Sequence, residues 1–559
     1  MTDVTDVPTF PALFADVVRE RADHPALIVS DETLTYAELD RRSARMAQAL
    51  LASGAGKGTR LALLAPDGVL FLTTFYAALR IGALVTPIST LTTPPELAHI
   101  VRTSDAQILI GARRFLRRDF AGNLEAALAG LADARAGALW LASAPHLRSV
   151  WLDDADGLGW AGSIDDLLRR AAGTEGRDGP DGELLAPVER EVSPSDDAFV
   201  VYTSGSTAAP KAVVHDQRAV VTKPRALAPI FGMTSEDRTM PLLPAFWLGG
   251  IAAALQVLCT GGTLVYPPSP DLDDVLDMVE RHDVTYVVVW HTLARLRAAG
   301  IERGIDVDRI RGLGRPRDAD GEPIPGALRA NLLGMSESFS VHSGEPIDVR
   351  MPDDKRGSSG RAVNGIERRV VDPDTGQEVP PGEVGELQLR GGGLMSGFYK
   401  VDRDHVFTPD GFYPTRDLVR IDADGYAWFV GRIGDMIKTS SANVSRLEVE
   451  AALVRLPEVE LALVAGLPDA DVGEVVAAAV VPAPGTSPTE DDLRAALRDR
   501  ISSFKIPRRI VFITDDDVPR TATGKIRLAD VAQLVDARLD DRTSADDPAP
   551  RPTGVTSHG

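Results

Sequence analysis

Apolar and polar positions along this chain lay short strands between helices. Leu61-Ala62-Leu63-Leu64-Ala65 and Ala83-Leu84-Val85-Thr86-Pro87 are continuous apolar runs, the pattern of strands buried on both faces. Between them, residues 71–81 read as a helix. Thr35-Tyr36-Ala37-Glu38 is a capping box, a hydroxyl followed three residues later by a glutamate. Leu39, Met46, Ala47 and Leu50 then share one helical face, and Gly54 suits the left-handed stop. Thr93-Pro94-Pro95-Glu96 opens another helix. Strands alternating with helices at this spacing predict an α/β fold, a parallel sheet with helices on its faces. Residues near 174–195, rich in Gly, Asp, Pro and Glu, predict an exposed loop, and the run 198–202 after it a buried central strand. A helix is expected over 215–228. Ser487-Pro488-Thr489-Glu490 predicts a helix start with Ser487 as cap, Pro488 at the first helical position and Glu490 at the third. Residues 541–559, rich in Asp, Pro, Ser and Thr, predict a disordered tail.

The length, 559 residues, allows several domain-sized units. The net charge of −21 argues against a general nucleic-acid binder and against an anionic membrane surface. The single cysteine, Cys259, excludes an intramolecular disulfide and any multi-cysteine metal site, and reads as a structural residue. The acidic start Met1-Thr2-Asp3-Val4 has no apolar segment of the signal-peptide kind. Runs such as Val284-Thr285-Tyr286-Val287-Val288-Val289-Trp290 are too short for a bilayer. These features predict a soluble cytoplasmic protein whose partner is a small molecule; they do not speak to oligomeric state.

Candidate chemistry begins where the central strand ends. Thr203-Ser204-Gly205-Ser206-Thr207-Ala208-Ala209-Pro210-Lys211 packs four hydroxyls and a glycine ahead of a lysine. Successive backbone N–H groups and one positive charge suit a polyphosphate. It is not a G-x-x-x-x-G-K-[ST] loop, because the glycine spacing differs and no Ser or Thr follows the lysine. In Leu333-Gly334-Met335-Ser336-Glu337 an acid follows a tight glycine turn and suits Mg²⁺, which takes few carboxylates and many waters. In Gly411-Phe412-Tyr413-Pro414-Thr415-Arg416-Asp417 the aspartate can accept two hydrogen bonds from a ribose diol. Phe246-Trp247-Leu248-Gly249 sets two aromatics beside glycine, a lining for a flat apolar pocket. Pro519-Arg520-Thr521-Ala522-Thr523-Gly524-Lys525 presents a lysine on a loop. Taken singly, each has a bland reading: a solvated turn, a core turn or a surface acid.

Together, and in this order, these segments resemble the adenylate-forming (AMP-binding) superfamily of acyl-CoA synthetases, peptide-synthetase adenylation domains and luciferases. Gly385-Glu386-Leu387 with Arg390-Gly391, Ser396-Gly397-Phe398-Tyr399, Gly431-Arg432 and Phe504-Lys505-Ile506-Pro507 belong to the same resemblance. It implies a large multi-sheet N-terminal domain, residues 1–432, and a small mobile α+β domain, 433–540, turning about a hinge at Gly434. It also implies ATP-dependent adenylation of a small or medium carboxylic acid, aromatic acids included, then transfer to coenzyme A. Thr203, Ser204, Gly205, Ser206, Thr207 and Lys211 would then hold the β- and γ-phosphates, and Ser336 would touch the α-phosphate. Glu337 would place Mg²⁺, Asp417 and Arg432 would grip the ribose, and Lys525 would bridge acid and α-phosphate. Gly314, Leu333 and Gly334 fall at the nucleotide; Phe246, Trp247, Leu248, Gly249, Trp290 and Met335 fall at the acid.

Departures from the family pattern fall in four places, two of them being Leu333, where an aromatic often packs on adenine, and Gly434, where the hinge usually has Asp or Lys. Alanine stands at 208 and 212, where the family has glycine in the phosphate loop. Ser441 and Arg446 replace a glycine and a proline near the channel that admits the pantetheine thiol. The altered acceptor side keeps open a different acceptor: a carrier protein, or an aryl amine attacking an activated nitrite as in a diazotase. A non-catalytic adenylate-binding relative is a further alternative.

Overall fold

The computed structural model describes residues 9–172, 184–203, 210–289, 293–313, 324–373, 375–433, 436–439, 442–520, 526 and 530–545. The chain forms two compact units that divide between residues 434 and 435.

The large unit carries the expected α/β layers. One sheet runs, strand by strand, through Gly397–Phe398, Lys211–Asp216, Asp197–Thr203, Leu84–Pro87, Arg60–Leu64, Ile108–Gly111, Ser149–Leu152 and Gly162–Ser163. A second runs through Tyr286–Val288, Arg238–Pro241, Thr263–Tyr266, Pro25–Val29 and Glu32–Thr35. Their central strands pair in parallel. The apolar runs are the reason: Leu61, Leu63, Val85, Phe199 and Val201 are all buried, with helices Tyr36–Ala52 and Val69–Arg80 in the same core. Each such side chain contributes about 1.5–3 kcal/mol on leaving water. The predicted capping box forms at Thr35 with Glu38, and the predicted helix start at Thr93 carries a second, with Glu96.

Two antiparallel sheets complete this unit. Four strands, Ile366–Val371, Val384–Gly391, Tyr413–Ile421 and Ala427–Arg432, lie in that order. Three more, Leu333–Met335, Ser340–Gly344 and Arg361–Ala362, make a small sheet.

The small unit is α+β. Strands Val459–Asp469 and Gly473–Pro482 form a long antiparallel pair, and Arg509–Phe512 joins the latter in parallel. Helices Arg446–Val454, Glu490–Arg498 and Val531–Ala545 accompany them.

Four expectations change. Residues 211–216 form a strand, so the helix after the phosphate loop starts only at Gln217, with Asp216 as its cap. The strand wins because Lys211–Asp216 has partners on both sides, Asp197–Thr203 and Gly397–Phe398, which local sequence does not reveal. The cap of helix Glu490–Arg498 is Thr489, not Ser487; Thr489 and Asp492 make a reciprocal box, and Pro488 precedes it. Helix Leu185–Arg190 interrupts the expected loop before the central strand. The last helix continues to Ala545, past the point where composition predicts disorder.

Among the described residues, no helix is long and apolar enough to cross a membrane. Cys259 sits in helix Leu248–Thr260, where burial pushes its thiol up to about 12, so it is no nucleophile at neutral pH.

Candidate active site

The strand Asp197–Thr203 pairs in parallel with Leu84–Pro87, so Thr203 lies at a carboxyl end of the open sheet. That edge is where open α/β sheets bind ligands. Thr203 is the register partner of Lys211. The Lys211 ammonium stands 5.1 Å from the centroid of the Phe398 ring. Ser204, Gly205, Ser206 and Thr207 lie outside the described residues, as do Gly314, Trp290, Gly434, Ser441 and Lys525. Ala212 lies in the regular strand, opposite Tyr202, and its φ is not positive. The methyl group there replaces the family's glycine without strain.

The acid turn is built with care. Leu333–Met335 pairs with Ser340–Gly344, and the chain reverses through a helical turn at Ser336–Ser338. Phe339 and Ser340 both adopt positive φ, 51° and 81°, unusual for residues with a side chain. Two devices hold this shape. The Ser338 hydroxyl donates to the carbonyls of Met335 and Ser340, at 3.2 and 2.6 Å. The His215 ring donates from Nε2 to the Ser336 carbonyl at 2.9 Å, and packs 5.1 Å from Phe199 and 4.8 Å from Phe339. Burial pushes the His215 imidazole down to about 3, so the ring is neutral and the bond fixes its tautomer.

The turn aims Glu337 inward, 8% exposed. Its Oε1 accepts from the Tyr413 phenol at 3.2 Å. Among the described residues Oε2 has no hydrogen-bond partner. An open carboxylate oxygen in a buried turn fits a cation arriving with its own oxygen ligands, which is how Mg²⁺ accompanies phosphates.

Tyr413 and Asp417 belong to one strand, Tyr413–Ile421, and alternation puts 413, 415 and 417 on its buried face. Asp417 is the register partner of Arg432 on the next strand, so the two predicted ribose residues face each other across a ladder. Arg416 has a φ of 63°, and its N–H donates to Glu386 at 3.0 Å. Sequence reasoning missed Tyr413 and His215 as supports of the acid turn. The signal for Tyr413 was its spacing of four from Asp417 in a strand; for His215 there was none, since its partner is 121 residues away.

The predicted acid pocket is only partly assembled. Phe246 and Trp247 meet edge to face, ring centroids 5.3 Å apart. Leu248 and Gly249 open helix Leu248–Thr260. Gly250 is required there: a Cβ would lie 2.3 Å from the Pro244 carbonyl oxygen. Asp67 clamps the segment by accepting the Ala245 N–H at 2.7 Å. A cavity of about 890 Å³ opens beside it, with Phe246 in its wall; Trp247, Leu248, Gly249 and Met335 are not among its lining.

The comparison with protein families decides what this arrangement belongs to. The model of the AMP-binding enzyme family matches residues 14–399, and that of the AMP-binding enzyme C-terminal domain matches 448–525. The chain is an AMP-binding enzyme. It is an adenylate-forming ligase of the acyl-CoA synthetase type. A curated relative, an indoleacetate–CoA ligase of Aromatoleum aromaticum, is 29% identical over 91% of this chain and 95% of its own length. A feruloyl-CoA synthase of an Amycolatopsis species is 30% identical over 89% and 93%. Among solved structures, the amide bond synthetase McbA from Marinactinospora thermotolerans superposes with a TM-score of 0.76 at 25% identity, covering 94% of this chain and 99% of that one.

In this AMP-binding enzyme the Tyr413 bond is expected to orient Glu337. Replacing Tyr413 by Phe removes a hydrogen bond to a charged group, a term of about 1.5–3 kcal/mol. The Mg²⁺ concentration for half-maximal pyrophosphate release should rise about tenfold, consistent with that term. A Mg²⁺ titration of initial rates checks it; an unmoved midpoint removes Tyr413 from the role.

Proposed function

We propose that this enzyme adenylates a small or medium carboxylic acid with ATP, releases pyrophosphate, and passes the acyl group to the coenzyme A thiol. The observation that carries the reading is the shared buried surface of Glu337, Tyr413 and Asp417, with Arg432 opposite Asp417. Glu337 offers an acid for a cation, and Asp417, on the same buried strand face as its partner Tyr413, an acid for a diol.

The chemistry joins two anions, so the site must supply positive charge and position. A carboxylate oxygen attacks the α-phosphorus; the new P–O bond forms as the bond to the β-phosphate oxygen breaks. Thr203, Ser204, Gly205, Ser206, Thr207 and Lys211 hold the leaving pyrophosphate. Ser336 contacts the α-phosphate, and Leu333 and Gly334 give the adenine an apolar edge. Glu337 would hold Mg²⁺, which when bound would supply neutralisation of phosphate charge. Asp417 and Arg432 fix the ribose, and Lys525 places its charge between the two reactants. A turn about Gly434 then replaces Lys525 by the acceptor face. The CoA-ligase names of the two curated relatives support coenzyme A as acceptor.

A second reading, an amine acceptor, draws support from the similarity to an amide bond synthetase and from Ser441. Arg446 supports it less. This arginine begins helix Arg446–Val454 and pairs with Glu450 at 2.7 Å, while Glu450 also accepts the Val464 N–H at 2.9 Å. Its work is within the small unit's own packing.

Release of AMP and pyrophosphate is measured across aryl and arylalkanoic acids, with coenzyme A, with an aryl amine, with nitrite plus the amine, and with no acceptor. Coenzyme A should accelerate AMP release and yield an acyl thioester, and Ser441→Gly should raise that step several-fold. AMP release indifferent to coenzyme A, with amide formed in its place, selects the amine reading.

A further inference from the structure

The 890 Å³ cavity is large among small-molecule sites, whose usual range is about 300–1,000 Å³. Its place in the fold is specific. Pro66 and Asp67 follow strand Arg60–Leu64, Thr90 and Leu91 follow Leu84–Pro87, and Pro241 and Leu242 stand at the end of Arg238–Pro241. The cavity therefore sits at the carboxyl edge of both parallel sheets, the edge that also carries Thr203. In the first sheet, Arg60–Leu64 is two places from Asp197–Thr203. At about 4.8 Å per strand, the wall after Leu84–Pro87 stands roughly 5 Å sideways from the phosphate strand, and the wall after Arg60–Leu64 roughly 10 Å.

The wall is apolar, with Leu91, Phe115, Leu242, Phe246, Leu272 and Leu296. Its charged groups are unlike the rest of the molecule. In a chain of net charge −21, three arginines, Arg117, Arg118 and Arg295, line this one cavity. Among the described residues none of them has an ion-pair partner. Arg118 lies on a two-stranded hairpin, Arg114–Phe115 with Arg118–Asp119, whose tip holds Arg117 and the 63% exposed Leu116. Two acids oppose them. Asp271 is at the surface, before helix Leu272–Arg281. Asp67 is bound to the Ala245 N–H, and burial pushes its carboxyl up to about 7, which reduces its charge at neutral pH.

We propose that this cavity takes the body of an extended carboxylic acid whose far end carries a second anionic group, met by Arg117, Arg118 and Arg295. The inference rests on the adenylation reading and adds the substrate class to it: one acid group for the α-phosphorus, an apolar body of about 5–10 Å or more to span the strand spacing, and an anion at the other end. Surface arginines around an apolar cavity favour such a ligand over its neutral counterpart through charge and bidentate geometry.

The test uses the full-length enzyme and a graded series of α,ω-dicarboxylic acids, aliphatic and aryl-linked, each beside its monomethyl ester. AMP release gives kcat and KM for every member, at low and at high salt. The expected result is a length at which the diacid exceeds its monoester at least tenfold in kcat/KM, mostly through KM, with the advantage shrinking in high salt. The triple substitution Arg117→Gln, Arg118→Gln, Arg295→Gln should bring the diacid-to-monoester ratio close to one. The single substitution Arg118→Gln, with a thermal melt matching the parent, keeps the test valid if the triple variant fails to fold. Monoesters turned over as well as diacids at every length overturn the second-anion proposal while leaving adenylation standing. AMP release from no carboxylic acid overturns it together with the adenylation reading.

Discussion

Replacing Lys525 by alanine is expected to slow adenylate formation about a thousandfold while ATP affinity stays within about threefold. The asymmetry follows from where charge develops. In the proposed mechanism the phosphate loop and Lys211 would hold pyrophosphate in the ground state, and Asp417 and Arg432 the ribose. A lysine between the incoming carboxylate and the α-phosphorus meets its largest charge only as the new bond forms. Loss of one such donor is worth about 3–4 kcal/mol in the transition state and little in the ground state. Glu337→Gln should behave differently, because Glu337 is already in place beside Tyr413 before any acid binds. That variant should raise the Mg²⁺ requirement along with lowering kcat. Single-turnover pyrophosphate release with pre-bound ATP separates the two. An adenylation rate for Lys525→Ala within a few-fold of the parent would remove Lys525 from the chemistry.

Local signals were readable where one segment satisfies itself. Thr35 with Glu38 and Thr93 with Glu96 are closed within four residues, so no tertiary context is needed to find them. At 487–492 two hydroxyls compete for the same role; Thr489 takes it because Asp492 answers its backbone N–H at 3.0 Å. The strand at Lys211–Asp216 was hidden because its second neighbour is Gly397–Phe398, almost two hundred positions on. Motif order drew attention to Glu337 and Asp417, but the phenol that joins the strand of Asp417 to the acid turn spans 76 residues. The cavity was invisible for the same reason: its wall is assembled from the ends of strands in two sheets. A pattern along the chain records each strand's buried face and carries no record of which strand ends lie side by side.

The second large effect is on stability and its pH dependence. Behind the acid turn sit three titratable groups without a carboxylate among them. Lys223 is 1% exposed, and His215 and His342 are fully buried; among the described residues Lys223 Nζ, His215 Nδ1 and His342 Nε2 have no hydrogen-bond partner. Burial, then the charge of Lys223, pushes both imidazoles down to about 3; for His342 the Arg368 guanidinium adds to this. Burial alone brings the Lys223 amine down to about 7. In the unfolded chain these groups titrate near 6.5 and 10.5. Between pH 6.5 and 3 the unfolded chain binds protons on the imidazoles that the folded chain refuses, so stability falls as pH falls. Between pH 10.5 and 7 the same holds for Lys223, and below pH 7 its full penalty is present. At about 1.4 kcal/mol per unit, each group accounts for a few kcal/mol, roughly 5 at most. Lys223→Met keeps the volume and removes the buried amine. It should raise the unfolding free energy from urea melts by roughly 3–5 kcal/mol at pH 6, and by less than half of that at pH 10. It should also make acid unfolding set in at lower pH, because the imidazoles lose a neighbouring positive charge. An equal gain at both pH values would mean that the ammonium is already neutralised in the folded enzyme.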